Sequence, residues 1–240
     1  MNLVIEIEYD GTNYAGWQFQ PRRRTIQGEI EKALSQLYQN RIKIVGASRT
    51  DAGVSAQGQI ANFHVPTLRF NDLASLVKSL NAVLPNDIYV KQALVTNDNF
   101  HARYSAKGKI YQYYILCHHS PLRQRFAWVV RYKLNLSIMR KAAKLFLRQK
   151  DYSAFCKVKD KDGKITMKSI SIKKNGDEVF ISIEADRFLY KMVRRIIGTL
   201  IDVGRGHRNE DDIKNSLIGY ERRSLVCAPA SGLVLVKVKY

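Results

Sequence analysis

Hydrophobic periodicity constrains the fold of this chain more than any other feature, because strand-like and helix-like patterns follow one another in a fixed order. Apolar residues alternate with others along residues 3–9, which is typical of a half-buried strand. The elements predicted after it are a helix from about Thr25, a strand at Ile42 and Ile44, a strand over 61–65, a helix capped by Asn71 and a strand over 88–95. This β-α-β-β-α-β order is that of a ferredoxin-like unit.

The second half of the chain repeats the pattern. Its predicted elements are a strand over 109–117, a helix from about Ser137, strands near 165–172 and 179–183 joined by a turn at Asn175-Gly176, an apolar helix over about 188–203, a short helix from Asn209 and a last strand over 234–238. We therefore expect an α+β protein of two ferredoxin-like halves, residues 1–98 and 99–240, each with a mainly antiparallel sheet. The sheets should abut around a central cleft, the usual place for a site.

Positive charge is concentrated in the second half. The chain has 40 Lys and Arg against 21 Asp and Glu, a net charge of +19, of which residues 99–240 hold +18. No acidic residue lies between Asp98 and Asp151, although twelve Lys and Arg do. Such a basic segment favours a polyanionic partner, either nucleic acid or an anionic membrane surface.

Other features of the sequence narrow the cellular context. No apolar run reaches the roughly 18 residues of a membrane span. Glu6 and Glu8 interrupt the apolar N-terminal segment, which argues against a secretory signal. The three cysteines, Cys117, Cys156 and Cys227, are far apart and fit a reducing compartment. We therefore expect a cytoplasmic protein.

Residues 46–54 are the segment whose composition most suggests chemistry. Small residues surround one arginine, Arg49, and one carboxylate, Asp51, between two predicted strands. Small neighbours would let a ligand approach the backbone, and Asp51 could serve as a nucleophile or a base. The alternative is an ordinary turn in which Asp51 bonds its own backbone.

Seven residues of this segment, 48–54, resemble the catalytic motif of the tRNA pseudouridine synthase A (TruA) family. Further segments resemble the same family in the same order and extend the similarity over essentially the whole chain: 9–18, 25–29, 81–88, 100–103, 192–194 and 203–206. Ser48 and Ser55 depart from the pattern, since the family often has glycine at the first position and usually histidine at the second.

The resemblance implies the pseudouridine synthase fold and an isomerase that converts uridine to pseudouridine in the tRNA anticodon stem-loop, at uridines 38, 39 and 40. It further implies a homodimer that binds tRNA and requires no metal and no cofactor. Asp51 corresponds to the family's catalytic aspartate. Attack at C1′, addition to C6 and removal of a proton from C2′ all remain open for it.

Three more residues match family positions in substrate binding. Arg194 corresponds to the arginine that pairs with the aspartate, although by its type alone it could lie on the solvent side of a helix. Tyr111 corresponds to the tyrosine that packs on the target base, whereas strand alternation alone cannot separate it from Tyr113. Arg49 corresponds to the arginine that enters the base stack when the uridine is flipped out, with a phosphate contact as the alternative.

Two other functions fit parts of the sequence. Tandem ferredoxin-like units also occur in non-catalytic RNA-binding proteins, although the sequence has no RNP1-like strand. A metal-dependent nuclease would need convergent carboxylates, and the acidic group 210–212 is better explained as the first turn of a helix capped by Asn209. Arg22, Arg23 and Arg24 are candidates for phosphate contacts, with a solvated loop as the alternative.

Overall fold

A computed structural model describes residues 1–156, 163–218 and 225–240. The chain divides into two compact units, one formed by residues 1–107 with 234–240 and the other by residues 108–233. The sequence predicts a division after residue 98. In the structure the first unit extends nine residues further, to residue 107, and also includes the end of the chain, residues 234–240. No helix in the described parts of the chain is long and apolar enough to cross a membrane.

The first unit is built on a sheet with the strand order β4-β1-β3-β9, in which β2 also pairs with β3. Its strands are β1 (Asn2–Tyr9), β2 (Val45–Gly46), β3 (Ser55–His64), β4 (Ile88–Thr96) and β9 (Leu233–Lys239). All these pairs are antiparallel except β3 with β9, which is parallel. Its helices are α1 (Ile26–Tyr38) and α2 (Leu73–Val83), and their apolar faces are buried with those of β1.

The strand predicted at Ile42 and Ile44 is wrong, because the paired strand there is the two-residue β2 that follows. Both isoleucines are buried. Their apolar alternation therefore indicated burial correctly, but it did not indicate pairing with a neighbouring strand. Their N–H groups donate to side chains of α1 instead, Ile42 to Ser35 Oγ and Ile44 to Glu31 Oε1, each at 3.0 Å. These bonds satisfy the backbone without a neighbouring strand.

The second unit contains an antiparallel sheet of order β5-β8-β7, with β6 pairing in parallel with β5. Its strands are β5 (Gly108–Leu116), β6 (Trp128–Val129), β7 (Met167–Asn175) and β8 (Glu178–Ala185). Its helices are α3 (Leu136–Leu147), α4 (Met192–Gly204) and α5 (Glu210–Leu217). The helix α3 packs against β7 and α4. The predicted α+β class with mainly antiparallel sheets is confirmed.

Helix ends were the least predictable part of the fold. Asp72 caps α2 and accepts the Ser75 N–H at 2.7 Å, in place of the predicted Asn71. Lys191 adopts a left-handed conformation (φ 61°), so α4 begins at Met192 rather than near residue 188. By contrast, Asn209 caps α5 as predicted, in a reciprocal bond with Asp212.

The buried face of α3 also differs from its prediction. Ile138 is exposed, whereas Met139, Ala142, Ala143 and Phe146 are buried. The cap is Asn135, which accepts the Ile138 N–H at 3.2 Å. The helix therefore starts before the predicted Ser137, and Met139 takes the buried place that the pattern assigned to Ile138.

Candidate active site

The loop that carries Asp51 is fixed at its start to β3. The Ala47 N–H donates to the Ile60 carbonyl at 2.8 Å. The fully buried side chain of Gln59 then bonds both backbone groups of Ser48. The Ser48 N–H donates to Gln59 Oε1 at 3.1 Å, and Gln59 Nε2 donates to the Ser48 carbonyl at 2.7 Å. The position at which the loop leaves the sheet is therefore set by β3.

The middle of the loop is held by Thr50, whose side chain is directed into the core. The Trp17 N–H donates to the Thr50 carbonyl at 3.0 Å. The Thr50 hydroxyl lies 2.8 Å from the hydroxyl of Tyr9, and both residues are buried. The residues on either side of the buried Thr50 are more accessible to solvent: Arg49 is exposed and Asp51 is half-buried.

The loop ends in a tight turn that returns the chain to β3. The Val54 N–H donates to the Asp51 carbonyl at 3.1 Å, and Gly53 has a φ of +78°, which favours glycine. The Gly53 N–H also donates to the Tyr14 carbonyl at 3.3 Å. The next residue, Ser55, is buried and accepts the Gly11 N–H at 3.0 Å. The segment therefore ends in a turn over residues 51–54.

Close backbone approach brings the loop against residues 16 and 17. Gly16 has a φ of +102°, and a Cβ on it would lie 2.7 Å from the Thr50 carbonyl oxygen. A Cβ on Gly46 would lie 2.4 Å from the ring of Trp17, which is buried. The short distances leave no space for side chains at either glycine, so the backbone around Asp51 is closely packed from this side.

In the second unit, Arg194 is held by the backbone of the segment that follows α5. Its Nε donates to the Ala228 carbonyl at 2.7 Å, and the Ala228 N–H donates to the Arg194 carbonyl at 3.0 Å. Arg195 also bonds a carbonyl, that of Cys156. Both arginines are half-buried. Neither is therefore a freely solvated side chain of α4, the arrangement that residue type alone allowed for Arg194.

Tyr111 and Tyr113 are both buried on β5, as strand alternation predicts. Tyr111 packs edge-on against Phe188, with ring centroids 5.1 Å apart. Tyr113 is engaged within its own unit, since its hydroxyl donates to the Pro229 carbonyl at 2.9 Å. Burial raises the pKa of Tyr113 and keeps that hydroxyl protonated. These contacts give Tyr113 a structural role and distinguish it from Tyr111.

The four residues proposed from sequence are thus divided between the units. Arg49 and Asp51 lie on one loop of the first unit, two positions apart. Tyr111, on β5, and Arg194, on α4, belong to the second unit. Both units have a net positive charge. The charge is larger in the second unit, where residues 108–233 contain 26 Lys and Arg against 12 Asp and Glu.

Comparison with known proteins identifies the family of this chain. A family model described as tRNA pseudouridine synthase matches residues 5–105 and 142–240. The chain belongs to the tRNA pseudouridine synthase family. A relative named tRNA pseudouridine synthase A from Thermoanaerobacter sp. (strain X514) is 43% identical, over 100% of this chain and 99% of the relative. Another from Thermosipho melanesiensis is 41% identical, over 99% of each.

Membership of the tRNA pseudouridine synthase family decides between the functions left open by the sequence. The protein is an isomerase that makes pseudouridine in tRNA, rather than a nuclease or a non-catalytic RNA-binding protein. A tRNA substrate also agrees with the polyanionic partner predicted from the net charge of +19 and selects nucleic acid from its two alternatives.

Two groups of the synthase that fix the Asp51 loop were missed by sequence reasoning. Gln59 lies within β3, where a buried amide has to find partners. The Tyr9 and Thr50 hydroxyls meet across 41 residues of chain. Gln59 lies outside the predicted strand, which begins at residue 61, so the sequence pattern does not place it inside the sheet. No sequence signal existed for the hydroxyl pair.

Arg24 of the synthase is engaged within the first unit. Its guanidinium lies 3.2 Å from Glu29 and 3.3 Å from Asp87, and 4.4 Å from the centre of the Tyr14 ring. The Tyr14 hydroxyl donates to Asp87, and burial together with this bond raises the pKa of Tyr14. Arg24 therefore fixes the loop before α1. Arg22, Arg23 and Arg24 are all exposed and stay candidates for phosphate contacts.

Gly16→Ala is expected to lower both the stability and the activity of the synthase. The substitution forces a methyl group to within 2.7 Å of the Thr50 carbonyl at a φ of +102°. Backbone strain of this kind costs about 1–3 kcal/mol, and its relief would displace Thr50 and with it Asp51. Thermal unfolding and the single-turnover rate of pseudouridine formation measure the two effects.

Gly176→Ala is the matched control for backbone strain. Gly176 also has a positive φ, +54°, but a Cβ there would meet nothing within 4 Å. It lies in the turn between β7 and β8, in the other unit. The control variant should lose some stability and keep the wild-type rate. Equal rate losses in the two variants would show that strain alone, and not the position of the loop, lowers activity.

Proposed function

We propose that this synthase isomerises uridines 38, 39 and 40 in the anticodon stem-loop of tRNA, with Asp51 as its catalytic residue. The observation that carries the proposal is the placement of Asp51, half-buried on a loop whose neighbours are fixed by Gln59, Tyr9 and Trp17. A reacting carboxylate requires such a rigid support. The motif shared by residues 48–54 with the family supports the same assignment.

The reaction conserves all atoms of the nucleotide. The bond between N1 and C1′ breaks, the uracil turns, and a bond forms between C5 and C1′. The proton lost from C5 is balanced by the proton gained at N1. Asp51 has to act in its ionised form, whether it attacks C1′, adds to C6 or removes a proton from C2′.

The other three residues bind the substrate in this proposal. Arg194 pairs with the Asp51 carboxylate, keeps it charged and directs it. Tyr111 packs on the target uracil, which a flat ring permits while the base turns. Arg49, exposed one residue before Thr50, occupies the space that the flipped uridine leaves in the stack.

The proposal also covers the oligomeric state, the cellular location and the requirement for a metal or a cofactor. The synthase acts as a homodimer in the cytoplasm and needs neither a metal nor a cofactor. Sedimentation with and without tRNA tests the homodimer, and turnover in EDTA tests the metal. A monomer at saturating tRNA, or loss of turnover that added metal restores, would contradict the corresponding part.

Mapping of pseudouridine in an unmodified tRNA transcript tests the proposed positions. The transcript should carry uridine at 38, 39 and 40. Three further transcripts should each have one of these changed to cytidine, and a fourth should have all three changed. Conversion is expected at the remaining positions of the stem-loop. Pseudouridine that persists when all three are changed would show that the synthase acts elsewhere in tRNA.

Charge reversal on α3 is expected to weaken tRNA binding without slowing chemistry. Lys141 and Lys144 are exposed on α3, opposite its buried face, in the more basic unit. Each phosphate contact that is lost should lower affinity and reduce the salt slope by about one unit, because fewer counterions are released. Titration of tRNA into Lys141→Glu/Lys144→Glu at several salt concentrations measures this, alongside the saturated rate.

A pair of lysines in the less basic unit supplies the control. Lys32 on α1 and Lys78 on α2 are also exposed helix lysines, and their reversal changes the net charge equally. Arg123 and Arg125 form a second basic pair, but Arg123 already bonds Glu178, so its reversal would also break that ion pair. If reversal of either lysine pair weakens tRNA binding equally, the positive charge attracts tRNA as a general field. The helix α3 is then not part of the tRNA-binding surface.

A further inference from the structure

The hydrogen bonds between β3 and the chain that leads to Asp51 change in kind over residues 45–48. Val45 and Gly46 pair with Asn62 and Ala61 as a regular antiparallel ladder. The Ala47 N–H still reaches a backbone carbonyl of β3, at 2.8 Å. The backbone bonds to β3 give way at Ser48, where the loop turns toward Trp17.

The Gln59 side chain bonds the loop at this point. Its amide accepts the Ser48 N–H at 3.1 Å and donates to the Ser48 carbonyl at 2.7 Å. In a regular antiparallel ladder the pair after Ala47 and Ile60 makes no backbone hydrogen bonds. The two side-chain bonds of Gln59 therefore tie the loop to β3 at the point where it leaves the sheet.

The two bonds also account for a glutamine in the interior of β3. The side chain is 0% exposed, and a buried amide without partners costs about 1–3 kcal/mol. At Gln59 both amide groups are bonded, and both are bonded to Ser48. An apolar residue would fill the same space, so the bonds to the loop are what an amide adds.

We propose that Gln59 is a positioning residue that acts through Ser48 on Asp51. The inference rests on the proposed function, in which Asp51 is catalytic. Ser48 lies three residues before Asp51, and the next anchor of the loop is Thr50. Without the amide, the N–H and carbonyl of Ser48 lose their bonds to β3, and the first part of the loop is held less firmly.

Gln59→Met tests the proposal because methionine has nearly the same length and shape but offers neither group. The single-turnover rate at saturating tRNA should fall by about 10- to 100-fold, since small displacements of a reacting group have effects of this size. The dissociation constant for tRNA should change little. A role in stability alone would lower the melting temperature and leave the rate at saturating tRNA unchanged.

Asn62→Leu provides the matched control on the same strand. Asn62 is also a buried amide of β3, but its side chain bonds Asn2 at 3.0 Å and the Ala102 N–H at 2.9 Å, away from the loop. Its loss should destabilise the protein through the same kind of orphaned group. The rate below the melting temperature should stay at the wild-type level. Equal rate losses in Gln59→Met and Asn62→Leu would overturn the proposal.

Gln59→Glu adds a readout that a merely structural role would not move. A protonated glutamic acid can accept from the Ser48 N–H and donate to its carbonyl, as glutamine does. An ionised one places a negative charge against that carbonyl. Burial favours the neutral acid, so the rate relative to wild type at each pH should rise as the pH falls. A constant ratio over the accessible pH range, with the Met variant active or unfolded, would overturn the proposal.

Asp51→Asn separates this inference from the proposed function on which it rests. If Asp51→Asn is inactive and Gln59→Met keeps the wild-type rate, Asp51 is catalytic and Gln59 does not position it. If Asp51→Asn stays active, the catalytic assignment itself fails. Inactivity of Asp51→Asn together with a slow Gln59→Met and a pH-dependent Gln59→Glu supports both.

Discussion

Asp51→Asn is expected to lower the single-turnover rate of pseudouridine formation by at least about 10³-fold, as loss of a reacting group generally does. Asparagine has nearly the same shape as aspartate, but it cannot act as a nucleophile or a base here. Affinity for tRNA and thermal stability should stay close to those of the wild type. A rapid quench assay at saturating tRNA, with binding and unfolding measured on the same preparations, gives the three values.

The fold should tolerate this change because the loop is held by the neighbours of Asp51. Thr50 is fixed by Tyr9 and Trp17. The Asp51 backbone carbonyl accepts the Val54 N–H at 3.1 Å, and this bond does not depend on the side chain. The substitution therefore changes the chemistry of one half-buried group more than the path of the chain.

Asp72→Asn is a suitable control for the replacement of an aspartate by asparagine. Asp72 caps α2, and its bonds to Ser75 hold the pKa of its carboxyl below the usual range. Asparagine caps helices about as well, so the control should keep full activity. Turnover of Asp51→Asn above a few per cent of wild type, with deamidation excluded by mass spectrometry, would refute the assignment.

The sequence predicts the elements of this fold better than their connections. Alternation along residues 3–9 and the start of a helix at about Thr25 need only local information, and both are confirmed. Ile42 and Ile44 show the limit, because burial and pairing leave the same apolar pattern. Whether their N–H groups meet a strand or the side chains of α1 is decided by tertiary structure.

The candidate site shows even more strongly that a local sequence pattern does not reveal the tertiary partners of a side chain. Asp51 is found through its motif, since seven consecutive residues carry the resemblance. Gln59 is not, because period-two patterns identify the face of a strand and not the partner of a side chain. Tyr111 and Tyr113 are equivalent by alternation. The bond from Tyr113 to Pro229, 116 residues away, is a tertiary contact that alternation cannot predict.

Arg194→Lys is the second change expected to have a large effect, and it should slow chemistry by about 10- to 100-fold, equivalent to about 1.4–2.7 kcal/mol. Lysine keeps the positive charge but lacks the planar fork of donors that fixes a carboxylate in direction. It also lacks Nε, so the 2.7 Å bond to the Ala228 carbonyl is lost and the cation is no longer held on that segment. Single-turnover rates at saturating tRNA, measured beside the dissociation constant, separate the effect on chemistry from that on binding.

Arg195→Lys is the control that makes this result specific. Arg195 is the next residue of α4, is half-buried as well, and bonds the carbonyl of Cys156. Its replacement removes the same kind of bond one position along the helix, but the family resemblance assigns Arg195 no place in the site. Its rate should therefore stay within about threefold of wild type, while Arg194→Lys falls well below. A large loss of tRNA affinity with an unchanged rate in Arg194→Lys would instead place Arg194 on the phosphate-binding surface.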